Sequence, residues 1–188
     1  MLTVIIPTQN SERALVPTLA ALVPGATDGL ISEVLVADAA SGDETAAVAD
    51  VAGCDFMVVE GSLARRLRAA AAASRAPWLM FLRPGTILDQ TWTGEARRFV
   101  EQDQPEPRAA VFRRGASAQP ALREALSLFI AALIGGRPSP EQGLLIAKPL
   151  YDALGGHQED AADPEAELIR RIGRHRLATL SSSAFARG

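Results

Sequence analysis

The sequence predicts an α/β protein built as three layers, α/β/α, around a mainly parallel sheet. Short apolar runs bounded by turn residues recur at 2–7, 34–37, 56–59, 78–82 and 109–112. They are apolar at successive positions rather than alternating ones, which marks strands covered on both faces. Longer segments at 12–23, 43–52 and 62–75 separate the first four runs, and their Ala and Leu spacing with interspersed charge suits helices lying on a sheet. The resulting β-α-β-α-β-α-β order requires parallel strands joined by right-handed crossovers. The 188 residues are 48% hydrophobic and 22% charged, enough apolar material for one core and one domain.

Taken in order, the first strand ends in a loop carrying Pro7, Thr8, Asn10 and Glu12, and Asn10 or Ser11 is placed to cap the helix that follows. The second ends on Asp38, with Ser41, Asp43 and Thr45 close behind. Asp43 is the natural cap of the next helix, and Asp38, at a strand end, is read as a ligand contact. After Arg113 the pattern loosens. A helix is expected over 121–134, stopped by Gly135 and Gly136, then a strand over 143–147 and a short helix over 149–154. Asp163 caps a further helix that has Pro164 at its first position and runs to Ile172, and a last strand covers 176–180. Residues 102–108 form a solvated connector.

Composition removes several functions. Nineteen Lys plus Arg against 22 Asp plus Glu give a net charge of -3, so no global field draws nucleic acid or an anionic membrane. The lone Cys54 cannot close an intrachain disulfide, and the start MLTVIIPTQN lacks the basic segment and long apolar run of a signal peptide, so a cytoplasmic location is expected, with peripheral membrane attachment as the variant. The longest apolar run, 125–134, is about half of the ~20 residues a membrane-spanning helix needs, so no transmembrane segment is expected. The stripe formed by Leu122, Leu126, Phe129 and Leu133 suits core packing or a homodimer contact. Two histidines and one cysteine provide no zinc site. The arginines Arg65, Arg66, Arg68 and Arg75 have no aromatics between them and read as a solvated helix face. The first loop has no glycine, which excludes a dinucleotide-binding G-x-G-x-x-G turn and a P-loop.

In sequence, IIPTQNSE, VLVADAASGDET and ARRLRAAAAASRAPWLMFLRPGT, followed by EQGLLIAKPLYDALGGHQED and PEAELIRRIG, resemble the family 2 glycosyltransferases. That family's corresponding pattern is IIPTYNE, VVDDGSTDGT, RNxGxxxAxGxxxxFLDAD, DQGxFxRRxxFxxLGGF and EDxELxRRLR. The resemblance spans nearly the whole chain and implies a GT-A fold, with a nucleotide-sugar-binding half over 1–113 and an acceptor-side half over 114–188. It implies a bacterial-type transferase that takes a nucleotide diphosphate sugar and passes the sugar to an acceptor of unknown identity. Position by position, it implies that Pro7, Thr8, Asn10 and Glu12 lie along the nucleotide and that Asp38 reads the base or ribose. Arg65 matches the basic residue before the third helix, and Gln142 and Gly143 match the acceptor side. The family's general base falls on Glu165, which should then stand partly exposed in one cleft with Asp38 and Arg83. An inverting transfer needs a carboxylate to take the proton of the attacking hydroxyl. The alternative for Glu165 and Glu167 is an acidic first turn that complements the helix dipole.

One departure governs the chemistry. Where the family has Asp-x-Asp, this chain has Arg83-Pro84-Gly85, which offers no side-chain oxygen to a metal, so no metal ligands are assigned and a divalent cofactor is not expected. Arg83 could meet the diphosphate directly as a bidentate donor, or could be a surface residue of a turn in which Pro84 and Gly85 take the central positions. His157 stands where an aromatic is common. Two readings follow: a sugar transferase without the usual metal site, and a degenerate, non-catalytic member of the fold acting as a binding or interaction module.

Overall fold

A computed structural model describes residues 1–102, 108–115 and 138–186. The order is β1 (Leu2–Thr8), α1 (Glu12–Thr27), β2 (Ile31–Asp38), α2 (Thr45–Val51), β3 (Asp55–Val58), α3 (Leu63–Ala73), β4 (Trp78–Phe81), β5 (Thr86–Leu88), α4 (Trp92–Glu101) and β6 (Ala109–Arg114). After it come a 3-10 turn (Pro140–Gln142), β7 (Leu144–Ala147), α5 (Lys148–Ala153), α6 (Pro164–Ile172) and β8 (Leu177–Ala186). The expected helix over 121–134 and most of the 102–108 connector lie outside the described residues.

The strands form one sheet in the order β3-β2-β1-β4-β7-β6-β8-β5. Strands β3, β2, β1 and β4 are mutually parallel, as the repeated crossovers require. Beyond them β7 runs antiparallel to both β4 and β6, β8 is parallel to β6, and β5 is antiparallel to β8. Parallelism thus fills one half of the sheet, and the other half is mixed.

Alternate residues of each central strand feed opposite cores. Val4, Ile6, Met80 and Leu82 pack with Leu15, Leu22, Trp92 and Phe99 from α1 and α4. Ile5, Leu79, Phe81 and Ile146 pack with Leu67, Tyr151, Leu168 and Ile169 from α3, α5 and α6. Double-sided burial explains why these strands are apolar at nearly every position, and it gives the three layers.

Some elements differ from the sequence expectation. Helix α1 passes through Pro24 and ends at Thr27, where the pattern suggested a stop at 23. Gly25 in that added turn lies against Trp92, whose ring would stand 2.5 Å from a Cβ. Strand β8 runs to Ala186, beyond the expected 180, because β5, itself only three residues long, pairs with its far end. Helix α4 has no counterpart among the expected elements, although Trp92, Ala96 and Phe99 repeat at helical spacing. The capping of α6 is as expected: Asp163 accepts from the Glu165 and Ala166 amides at 3.1 and 3.0 Å. Among the described residues no helix is long and apolar enough to cross a membrane.

Candidate active site

Because β1, β2, β3 and β4 are parallel, their carboxyl ends share one rim of the sheet, where open α/β folds bind ligands. The first two loops of that rim are tied together by side chains. Asp38, 1% exposed, accepts from Thr8 Oγ1 at 2.7 Å and from the Ser41 amide and hydroxyl at 2.6 Å each. Asn10, at a positive φ of 48°, accepts from the Gly42 amide through Oδ1 and donates its own amide to Ser41 Oγ. Thr45 Oγ1 accepts from the Ser11 amide, and Asp43 accepts from the Glu12 and Thr45 amides and the Thr45 hydroxyl. The Thr45 hydroxyl is the leading cause holding the Asp43 carboxyl below its ordinary range. Asp43 therefore joins the starts of both α1 and α2.

Beside this knot opens a cleft of about 370 Å³ lined by Pro7, Thr8, Gln9, Asn10, Ser11 and Ala14, by Leu63 and Arg66 of α3, and by Arg83, Pro84 and Glu165. The 83–86 turn closes with the Thr86 amide donating to the Arg83 carbonyl at 3.1 Å, with Pro84 and Gly85 in the central positions and Gly85 at φ 87°. That is the positive φ a type II turn requires of its third residue. The Gly85 amide docks the turn on α1, donating to the Ala14 carbonyl and to Thr18 Oγ1 at 2.9 Å each.

Arg83 leaves this turn toward α6. Its Nε donates to Glu165 Oε2 at 2.7 Å, its Nη2 lies 2.6 Å from the same oxygen, and Nη2 stands 3.7 Å from Asp163. Glu165 is 5% exposed, so the expectation of a partly exposed carboxylate is corrected: it sits at the wall of the cleft, held by a guanidinium. Burial pushes the Glu165 carboxyl up from its ordinary value, and the Arg83 hydrogen bonds work against that rise. Burial also opposes the Arg83 charge, but the contact with Glu165 outweighs it and raises the guanidinium. The two acidic residues of α6 diverge, since Glu167 turns to Arg171, whose guanidinium also holds the Leu154 and Gly156 carbonyls.

Not every expected site residue meets here. Pro7, Thr8, Asn10, Arg83 and Glu165 line the cleft; Asp38 and Glu12 do not. Asp38 lies behind Thr8, and Glu12 is half-buried at the first residue of α1. Arg65 is exposed and faces another cavity with Arg68, Tyr151 and Glu159, and Arg66 takes the cleft position instead. The sequence carries a signal for this: Arg66 shares the i, i+3, i+4, i+7 stripe of Leu63, Leu67 and Ala70, whereas Arg65 does not. Arg66 Nη1 donates to the Gly61 carbonyl, and its buried Nε has no partner among the described residues.

Gln142, expected on an acceptor side, accepts through its side-chain amide oxygen from the Ser139 amide and donates to the Phe112 carbonyl at 2.6 Å, which fixes the 3-10 turn on β6. Gly143 has φ 70°, and a Cβ there would stand 2.6 Å from Leu82, one residue before Arg83. His157, 1% exposed, packs edge-on to Phe81 and shares a 2.9 Å hydrogen bond with Tyr151, and burial lowers its pKa to about 3.

The donor set at the rim does not fit a divalent cation. Residues 83–85 carry no side-chain oxygen, the carboxylate that lines the cleft is paired with Arg83, and among the described residues no cluster of three His, Cys, Asp or Glu could hold a metal.

No protein-family model matches the sequence, and no curated protein matches it. Solved structures do match: the fold is that of the GT-A nucleotide-sugar transferases. TarS residues 1–349 from S. aureus superpose with a TM-score of 0.73 at 15% identity, covering 98% of this chain and 60% of that one. The same TarS fragment has been solved with UDP-GlcNAc. Glucosyl-3-phosphoglycerate synthase from Mycobacterium tuberculosis, with Mn2+, UDP and glucosyl-3-phosphoglycerate, gives 0.71 at 16% identity over 100% of this chain and 72% of that one. The mannosyltransferase PcManGT from Pyrobaculum calidifontis, with GDP-Man and Mn2+, gives 0.71 at 16% identity over 98% and 56%. The chain thus spans about three fifths of the TarS fragment and of the mannosyltransferase.

Proposed function

We propose that the chain binds a nucleotide diphosphate sugar in the cleft at the carboxyl ends of β1 and β4 and transfers the sugar to a hydroxyl acceptor, with arginine in place of a metal ion. The observation that carries this reading is the cleft itself. The first-loop residues Pro7 to Ser11, the guanidiniums of Arg66 and Arg83 and the Glu165 carboxylate meet there in a GT-A fold. A diphosphate leaving group develops negative charge, and guanidinium donors stabilise it by charge-assisted, bidentate hydrogen bonds.

In the transfer, the acceptor oxygen forms a bond to the anomeric carbon as the bond from that carbon to the diphosphate oxygen breaks. The electron pair leaves with the nucleotide diphosphate, and the acceptor proton passes to Glu165. Asp38 serves this site indirectly by fixing Thr8 and the second loop. Both halves of the chain, 1–113 and 114–188, belong in this reading to one transferase domain.

The test is a thermal-shift panel of nucleotide diphosphates and their sugars, UDP-GlcNAc, UDP-glucose and GDP-mannose among them, with and without Mn2+, followed by an assay of nucleotide release. A stabilising shift with at least one nucleotide sugar is expected, and no shift with any of them overturns the reading. The Arg83–Glu165 pair also favours a second reading, a non-catalytic binding module, because it engages the carboxylate that the transfer needs. Binding without nucleotide release, whatever hydroxyl acceptor is supplied, would select that module.

A further inference from the structure

Among the described residues, the ionisable side chains that line the cleft are Arg66, Arg83 and Glu165. The protein as it stands balances one of its two guanidiniums internally. Glu165 Oε2 receives both Nε and Nη2 of Arg83, the same fork of donors that a phosphate oxygen would take. Arg83 is only half-buried, on a side chain rooted in a turn, whereas Glu165 is nearly inaccessible on the first turn of α6. The guanidinium is therefore the partner able to swing.

We propose that Glu165 holds Arg83 as an internal stand-in for the diphosphate, and that an entering nucleotide diphosphate sugar takes Arg83 over, leaving the carboxylate unpaired and ready to accept a proton. This rests on the reading of the cleft as a nucleotide-sugar site. Charge balance supports it. The diphosphate of a nucleotide sugar carries two negative charges, which match Arg66 and Arg83 and leave the negative charge of Glu165 uncompensated in a buried place.

Among the described residues, the other charged groups around Glu165 do not replace the lost cation. Asp163, the cap of the same helix, is itself acidic, and Glu141 on the 3-10 turn, near Arg83, is paired with Arg114 at 2.6 Å. An unpaired buried carboxylate binds a proton more tightly. Ligand binding would then convert a structural anion into a proton acceptor, the property that attack by an acceptor hydroxyl requires.

Calorimetric titration of UDP-GlcNAc, UDP-glucose and GDP-mannose decides it, run in EDTA at about pH 6 in buffers of different ionisation enthalpy. Their diphosphate diesters do not titrate near that pH, so a buffer-dependent heat reports the protein. The expected result is net proton uptake by the wild type, read as a binding heat that changes with the ionisation enthalpy of the buffer. Glu165→Gln should show no uptake and bind about three- to tenfold tighter, since no internal anion competes for Arg83. Binding by the variant alone overturns the exchange, because these sugars then fail to open the pair in the wild type. Wild-type binding without proton uptake overturns the exchange and leaves the nucleotide-sugar reading standing, while a folded wild type and variant that both fail to bind overturn the two together. If Glu165→Gln does not fold, Glu165→Asp, whose shorter arm draws the carboxylate back from Arg83, takes its place.

Discussion

The Asp38 carboxylate accepts three hydrogen bonds behind the rim of the sheet, so an alanine there leaves Thr8 Oγ1 and the Ser41 amide without their acceptor. Asp38→Ala should therefore destabilise the fold by about 1.5–3 kcal/mol in urea unfolding, the range for hydrogen bonds to a charged group. Unchanged stability with lost nucleotide affinity would instead make Asp38 a ligand contact. Arg66 poses the opposite case, with its Nε buried against the cleft and without a partner among the described residues. Arg66→Met should leave the melting temperature nearly unaltered and weaken nucleotide-sugar binding about ten- to hundredfold, the loss of one charged hydrogen bond. Arg65→Met, on the exposed side of α3, is the control and should bind as the wild type does. If both variants bind equally, the cleft has been given the wrong arginine.

At the scale of elements, the rim is held by turns that tolerate little. Gly143 ends the 3-10 turn at φ 70° with no room for a Cβ against Leu82, and Leu82 precedes Arg83. Gly143→Ala should cost about 1–3 kcal/mol from the left-handed backbone alone and should weaken nucleotide-sugar binding as well, because β4 and its turn must shift. Full affinity in a destabilised variant would show that the turn does not position Arg83. The contact of β4, α5 and the 155–160 segment rests on a neutral histidine. His157 is buried and its pKa is lowered from 6.5 to about 3, so the unfolded chain binds a proton there that the native one does not. Its contribution to stability is complete above about pH 6.5 and is lost as pH falls toward about 3. His157→Phe should flatten that part of the acid limb of a stability-against-pH profile, and an unaltered slope would mean the native ring is protonated.

Over the whole molecule, what the sequence made legible follows from how each feature is encoded. Double-sided burial writes itself into continuous apolar runs, and the parallel half of the sheet was readable from those runs and their spacing. The Asp163 cap and Pro164 were readable because the first turn of a helix has local chemical rules. The antiparallel insertion of β7 between β4 and β6 was not, since pairing direction between strands distant in sequence leaves no periodic mark. Of the candidate site residues, Pro7, Thr8, Asn10 and Glu165 come from the resemblance and Arg83 from the departure from it, and these five line one cleft. The contact between Arg83 and Glu165, 82 positions apart, was beyond a linear pattern, and so was the inward position of Asp38 behind Thr8. Gln142 was read on the acceptor side, and the structure uses its amide to tie Ser139 to Phe112.

The proposed replacement of a metal ion by guanidinium in this cleft bears on the entire donor set and is tested by a single comparison. The affinity of the best-binding nucleotide sugar is measured by calorimetry in excess EDTA and again in excess Mn2+. With no side-chain oxygen at residues 83–85 and Glu165 paired to Arg83, the two dissociation constants should agree within about twofold. A loss of affinity of about tenfold or more on chelation would contradict the account and require metal ligands that this cleft does not show.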